Sequence, residues 1–253
     1  QKKSFFDAIF GAPAVPGFRK AYGVYAQGDK IYVSLASEGP VVVMDTKVQK
    51  VSYVGDSGSG RLALSIGVAA ASDGTVFVSD AKQKKVFGYD PHGNLKIAIG
   101  KKDEFKNPAG IAINNELGRL YVVDSYGHMV HVYSLKGEKL FHFGTDGEKD
   151  GEFHYPSNVA IDRRNGKVYV VDSQNFRVQA FDQDGKFLSK FGQLGDAAGA
   201  FSRPKGIGVD TEGHVYVADA AFDNFQVFDE NGQLLLFIGS AGRDPGYFQL
   251  PAG

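Results

Sequence analysis

Short apolar runs rich in Val, Ile, Tyr and Phe alternate with breaks rich in Gly, Asp and Asn from residue 17 to the end of the chain. Runs of this length, bounded by turn-forming residues, predict β-strands rather than helices. They fall in groups of four. Each group opens on a strand of small residues, as at Gly110-Ile111-Ala112-Ile113, Asn158-Val159-Ala160-Ile161 and Gly206-Ile207-Gly208-Val209, with weaker versions at Gly23-Val24-Tyr25-Ala26 and Gly67-Val68-Ala69-Ala70. Second strands are predicted at 31–33, 76–80, 120–124, 168–172 and 215–219, rich in β-branched and aromatic residues that suit a pleated surface. Third strands end near Asp45, Asp90, Ser134, Asp182 and Asp229, and fourth strands close on Gly55, Gly100, Gly144, Gly192 and Gly239.

The groups repeat. Phe105, Phe153, Phe201 and Phe248 each precede a proline, at 108, 156, 204 and 251, which sets a period of about 48 residues. Four short strands per period of this size mark a propeller blade. The predicted fold class is all-β, a β-propeller of four-stranded antiparallel blades at approximately 17–63, 64–107, 108–155, 156–203 and 204–250. A sandwich does not repeat so regularly, and a helical solenoid needs amphipathic stretches that the modules lack. The unbroken apolar second strands fit sheets covered on both faces by their neighbours. Residues 251–253 repeat the opening Pro108-Ala109-Gly110, so five blades and the start of a sixth are expected, from a protein with six.

The pattern Pro156-Ser157-Asn158-Val159-Ala160-Ile161-Asp162, then Val168-Tyr169-Val170-Val171-Asp172-Ser173, Asn175-Phe176-Arg177-Val178-Gln179 and Asp184-Gly185-Lys186-Phe187 resembles the NHL repeat family. The likeness covers about 17–253, strong in the last three modules and weak in the first, where Ser37-Glu38-Gly39-Pro40-Val41 replaces the Asn-x-Arg-Val signature. The resemblance implies a six-bladed ring. In NHL-like amidating lyases, His residues just after the Pro of successive modules hold a catalytic zinc; the matching residues here are Ala109, Ser157, Lys205 and Ala252. The related gluconolactonase and paraoxonase propellers use a cage of Glu, Asn and Asp for a divalent cation, and only Asn158 would fit it. No metal and no cofactor are therefore expected.

Composition narrows the classes further. A hydrophobic content of 43% over 253 residues supports a large core, and the repeat makes it one domain. The absence of Cys excludes disulfides and thiolate sites. The net charge of −1, with both signs mixed, argues against general nucleic-acid or membrane-surface binding. No apolar run approaches the roughly 18 residues of a membrane helix. Position 1 is Gln, and an extracytoplasmic location, periplasmic or secreted, is expected. Residues 1–16 precede the repeat, and Ser4, Asp7 and Gly11 bracket a short capped helix with Phe5, Phe6, Ile9 and Phe10 on one face.

Candidate chemistry is sparse. His128 and His131 have a metal-compatible spacing but straddle a strand start, where they face opposite ways. No Gly-x-Ser-x-Gly elbow is present. The four carboxylates of residues 146–152 lack a full calcium-loop pattern and read as a solvated turn. Asp80, Asp124, Asp172 and Asp219 recur once per blade, as turn clamps would. What remains is the face formed by the loops between second and third strands and those leading into the next blade. It carries Lys82, Lys84, Lys85, Lys101 and Lys102, then Tyr126 and His128, then Asn175 and Arg177. Charge beside aromatic groups suits a protein or peptide partner, although the lysines are also ordinary solvated residues and Arg177 has a stem that can pack on a neighbouring blade. The leading expectation is a non-enzymatic protein- or peptide-binding propeller. The alternatives are a metal-dependent lyase or lactone hydrolase with ligands in a further module, and an RNA-binding domain.

Overall fold

The computed structural model describes residues 20–36, 39–242, 244 and 247–252; the helix expected over residues 4–11 lies outside them. It contains five four-stranded sheets, each running in sequence order from inner to outer strand. The first holds β1 (Ala21–Gln27), β2 (Lys30–Leu35), β3 (Val41–Asp45) and β4 (Lys50–Val54). The second holds β5 (Ser65–Ala70), β6 (Val76–Asp80), β7 (Lys85–Tyr89) and β8 (Leu95–Ile99). The third holds β9 (Pro108–Asn114), β10 (Arg119–Asp124), β11 (Met129–Ser134) and β12 (Lys139–Phe143). The fourth holds β13 (Pro156–Ile161), β14 (Val168–Asp172), β15 (Arg177–Phe181) and β16 (Phe187–Phe191). The fifth holds β17 (Pro204–Val209), β18 (Val215–Asp219), β19 (Asn224–Phe228) and β20 (Leu234–Ile238). All pairings are antiparallel. The register slips near the start of every inner strand, beside Ala21, Ser65, Pro108, Pro156 and Pro204.

No blade has a core of its own. Tyr32, Val43, Val78 and Phe87 close the space between the first and second blades, and Phe77, Ile99, Leu120 and Tyr133 that between the second and third. Tyr121, Val132, Phe153 and Val170 do the same for the third and fourth, and Tyr169, Phe201, Val215 and Phe228 for the fourth and fifth. Hence β6 and β14 are buried along their whole length. The fifth blade differs: β18 alternates buried and open positions. Tyr216 is 37% exposed where its repeat equivalents Phe77, Tyr121 and Tyr169 are at 0%, 0% and 1%.

Each module from the second to the fifth is tied to the loop that enters it by a buried aspartate, Asp80, Asp124, Asp172 or Asp219. Asp124 accepts the Lys106, Asn107 and Gly127 amides, and Asp219 accepts those of Ser202, Arg203, Ala221 and Phe222. The clamps thus reach back to the incoming loop as well as forward into the next turn. A phenylalanine plugs the same loop: Gly144, at φ +90°, leaves room for the Phe153 ring, whose Cδ2 a Cβ would meet at 2.3 Å.

Position 131 breaks the pattern. Gln179 and Gln226 at the equivalent place accept an amide and donate to a carbonyl of their incoming loops. The loop over residues 100–105 is too short to offer such partners, and both ring nitrogens of buried His131 lack a hydrogen bond; Nε2 stands 3.7 Å from Asp124 Oδ2. Phe87 fills this place in the second blade, also behind a short loop. His131→Phe is therefore expected to raise stability by about 1 kcal/mol, since it removes an unsatisfied buried polar group; urea unfolding measures it.

Candidate functional site

Inner strands β1, β5, β9, β13 and β17 surround a cavity of about 490 Å³. Its wall is mostly backbone and aliphatic side chains such as Val24, Ile66, Ile111, Val159 and Ile207. Asn158 lines the cavity, and Lys205 reaches the ring of the lining residue Tyr22. Asn158 turns its Oδ1 to the Val159 amide at 2.9 Å, and Lys205 places Nζ 5.7 Å from the centre of the Tyr22 ring. Burial, with Arg203 nearby, lowers the Lys205 pKa. At the other end of the channel Arg163 donates to the Tyr25 hydroxyl at 2.8 Å.

The wall also includes Asp210, which accepts bonds from the Glu212, Gly213 and His214 amides, from His214 Nδ1 and from the Tyr216 hydroxyl. Desolvation would push its pKa up, but these bonds outweigh it and hold the carboxyl well below the usual range. Among the described lining residues, no carboxylate is left free to move a proton.

The loop face holds the predicted residues, and the structure divides them. Lys82, Lys84, Lys101 and Lys102 are exposed and Lys85 half-buried; among the described residues the lysines in ion pairs are Lys96, Lys139 and Lys190. Tyr126 is 57% exposed. Arg177 is buried and Asn175 half-buried, and both are held by internal bonds. Asn175 Nδ2 donates to the Gly147 carbonyl and to Asp172. Arg177 is buried, its Nε donating to Asp172 Oδ2 at 2.8 Å and its Nη2 to the Lys149 and Glu152 carbonyls at 2.8 and 3.0 Å. Both brace the incoming loop, the packing role the long Arg stem allows.

His128 also parts from His131, which points into the blade. His128 lies in a left-handed turn, φ 55°, and stands 3.1 Å from Asp146 Oδ1. His154 Nδ1 approaches the same oxygen at 3.0 Å. The three residues form a group whose ligand atoms all lie within 4.8 Å of one another. Tyr155 packs edge-on to both imidazoles, at 4.7 and 5.0 Å, and to Tyr126 at 5.7 Å. Hydrogen bonding from His154, with the charges of His128, His154 and Lys106, holds the Asp146 carboxyl below its ordinary range. Asp146 is exposed, as the solvated-turn reading expects, and also faces the two imidazoles. Sequence reasoning missed Asp146, His154 and Tyr155, although His154-Tyr155 replaces Ser202-Arg203 of the next module and was visible as a departure from the repeat.

A model of the family described as 6-bladed beta-propeller (DUF5128) matches residues 103–190 and 145–229. A search of curated proteins found no significant match. Among solved structures, a catalytically inactive virginiamycin B lyase from Staphylococcus aureus with quinupristin is similar at 14% identity and a TM-score of 0.68, over 88% of this chain and 71% of that one. A gluconolactonase from Xanthomonas campestris shares 16% identity with a TM-score of 0.67, over 91% and 78%. A nidogen/laminin complex contains a chain sharing 14% identity with a TM-score of 0.67, over 87% and 80%. At these identities the likeness is one of fold. No helix among the described residues is long and apolar enough to cross a membrane. The two matched segments together reach half of the sequence, and the chain belongs to the 6-bladed beta-propeller family.

Proposed function

We propose that this chain is a non-enzymatic, NHL-like propeller that binds a protein or peptide through its loop face, and that its five blades belong to a ring of six. The loop face carries the functional reading: exposed Tyr126 and Tyr155 pack edge to face there, and Lys82, Lys84, Lys101 and Lys102 are exposed in the loops of the preceding blade, whereas the Asp210 carboxyl of the channel wall is occupied by internal bonds. An aromatic centre with a charged rim is the usual composition of a recognition patch. The open Tyr216 face supports the sixth blade, because every other blade interface covers this position. The family description supports a ring of six, and the nidogen/laminin neighbour is an example of this fold in a protein complex.

Selection of a displayed random peptide library on the chain tests the functional reading. Enriched peptides are expected to lose at least tenfold in affinity for Tyr126→Ala/Tyr155→Ala and for the charge reversal of Lys84, Lys85, Lys101 and Lys102 to Glu. Peptides that bind both variants as tightly as the wild type would refute it. Two of the similar structures are enzymes, so a second result also counts against it: lactone or lyase turnover by the full-length protein that a chelator abolishes.

A further inference from the structure

The group formed by His128, Asp146 and His154 has no counterpart in the other modules. Its positions are Phe176, Leu194 and Ser202 in the fourth blade and its entry loop into the fifth, and Asp223, Ala241 and Gln249 one module later. The loop geometry is nevertheless the same, with Asp146 bridged to Phe153 as Leu194 is to Phe201 and Ala241 to Phe248. Asp223, at the place of His128, accepts the Leu250 amide as His128 Nδ1 accepts that of Tyr155, so this place has a structural use in both modules. Leu194 and Ala241 at the place of Asp146, and Ser202 and Gln249 at that of His154, show that the fold needs neither of the other two. Asp146 and His154 arising together beside His128 call for a reason outside the fold.

The three residues also converge in space. His128 Nδ1 stands 3.1 Å from Asp146 Oδ1 and 3.3 Å from the Tyr155 amide nitrogen. On the other side His154 Nδ1 stands 3.0 Å from the same oxygen, and the imidazole centres are 5.5 Å apart. Ligands about 2.0–2.1 Å from a tetrahedral zinc ion lie about 3.3 Å from one another, close to the two imidazole–carboxylate separations, and all three donors lie within 4.8 Å of one another. Tyr155, wedged against both rings, fixes their direction before any ion arrives.

From this arrangement we infer that His128, Asp146 and His154 bind one divalent transition-metal ion of the zinc class. Two imidazoles and one carboxylate suit zinc, cobalt, nickel or copper rather than calcium or magnesium, which take oxygen donors. Three protein ligands on an open face leave coordination positions for water or for a donor from outside the chain. The site sits on the loop face, away from the channel where related propellers hold their ions, so it adds to the binding proposal and does not depend on it.

Titration of Zn²⁺ into the chelator-treated chain near neutral pH, followed by calorimetry, tests the site. One equivalent is expected to bind, and His128→Ala and His154→Ala are each expected to weaken it at least tenfold. His214→Ala, which removes a half-buried histidine beside Asp210 and Glu212, should leave it unchanged. Imidazole ¹⁵N shifts of the wild type give a second readout that needs no variant: Zn²⁺ should move the Nδ1 signals of His128 and His154. No stoichiometric binding, binding that both alanine variants retain, or unmoved Nδ1 signals would overturn the assignment and leave a hydrogen-bonded cluster only.

Discussion

Asp172→Ala should unfold the protein more readily than any substitution at the other clamps, at a cost of about 3–5 kcal/mol. Asp172 is fully buried and accepts four bonds: from the His154 amide at 2.7 Å, Asn175 Nδ2 at 2.9 Å, Arg177 Nε at 2.8 Å and Gln179 Nε2 at 3.1 Å. Removing it leaves the guanidinium of Arg177 buried without its counter-charge. The equivalent Asp80 serves the Ala63, Leu64 and Gln83 amides and Gln83 Nε2 but no cation. Asp80→Ala should therefore cost less, about 1–3 kcal/mol for buried donors left unpaired. Denaturant unfolding of both variants, together with Asp172→Ala/Arg177→Met, separates the terms. The double variant is expected to recover much of the loss, because an apolar chain in place of the cation ends the charge burial. Equal costs at 80 and 172, or no recovery, would show that the clamp acts through its amide bonds alone.

The same residues show how far the sequence could be read. Periodicity placed the strands because backbone pairing and inter-blade burial act on every module alike, so the alternation of Val, Tyr and Gly repeats wherever the geometry does. Tyr121 and Tyr169 announce a covered face in this way, and Tyr216 has the same sequence signal with a different outcome, because cover comes from a neighbour and not from the residue. The loop face was harder. Arg177 looked like a surface cation because its burial depends on the course of residues 147–152, which fold back over it. His128 was weighed against its sequence neighbour His131, whereas its partners, Asp146 and His154, arrive from another loop. Departures from the repeat carried that information, and reading the modules against one another for what differs would have found it.

Phe153→Ala joins the two levels. Phe153 is completely buried, packed at 5.5 Å against Phe181 and 6.3 Å against Phe143 in the core between the third and fourth blades. Truncation leaves a cavity that the rigid sheets on either side cannot collapse to fill, and a cost of about 3–5 kcal/mol is expected. The backbone of the same residue accepts the Gly147 amide at 3.1 Å and donates to the Thr145 carbonyl at 2.7 Å, which fixes Asp146 opposite His128 and places His154 next in the chain. Losing the ring frees the loop as well as the core. Phe201→Ala, which empties the matching position one blade on, should cost a similar amount but leave Asp146 in place, since terms in a repeat array act on nearest neighbours. The discriminating measurement is therefore Zn²⁺ affinity at a temperature where both variants remain folded. A decrease for Phe153→Ala alone would tie the loop-face group to the core plug beneath it, while equal decreases would mean that general loosening, and not the position of this loop, governs the site.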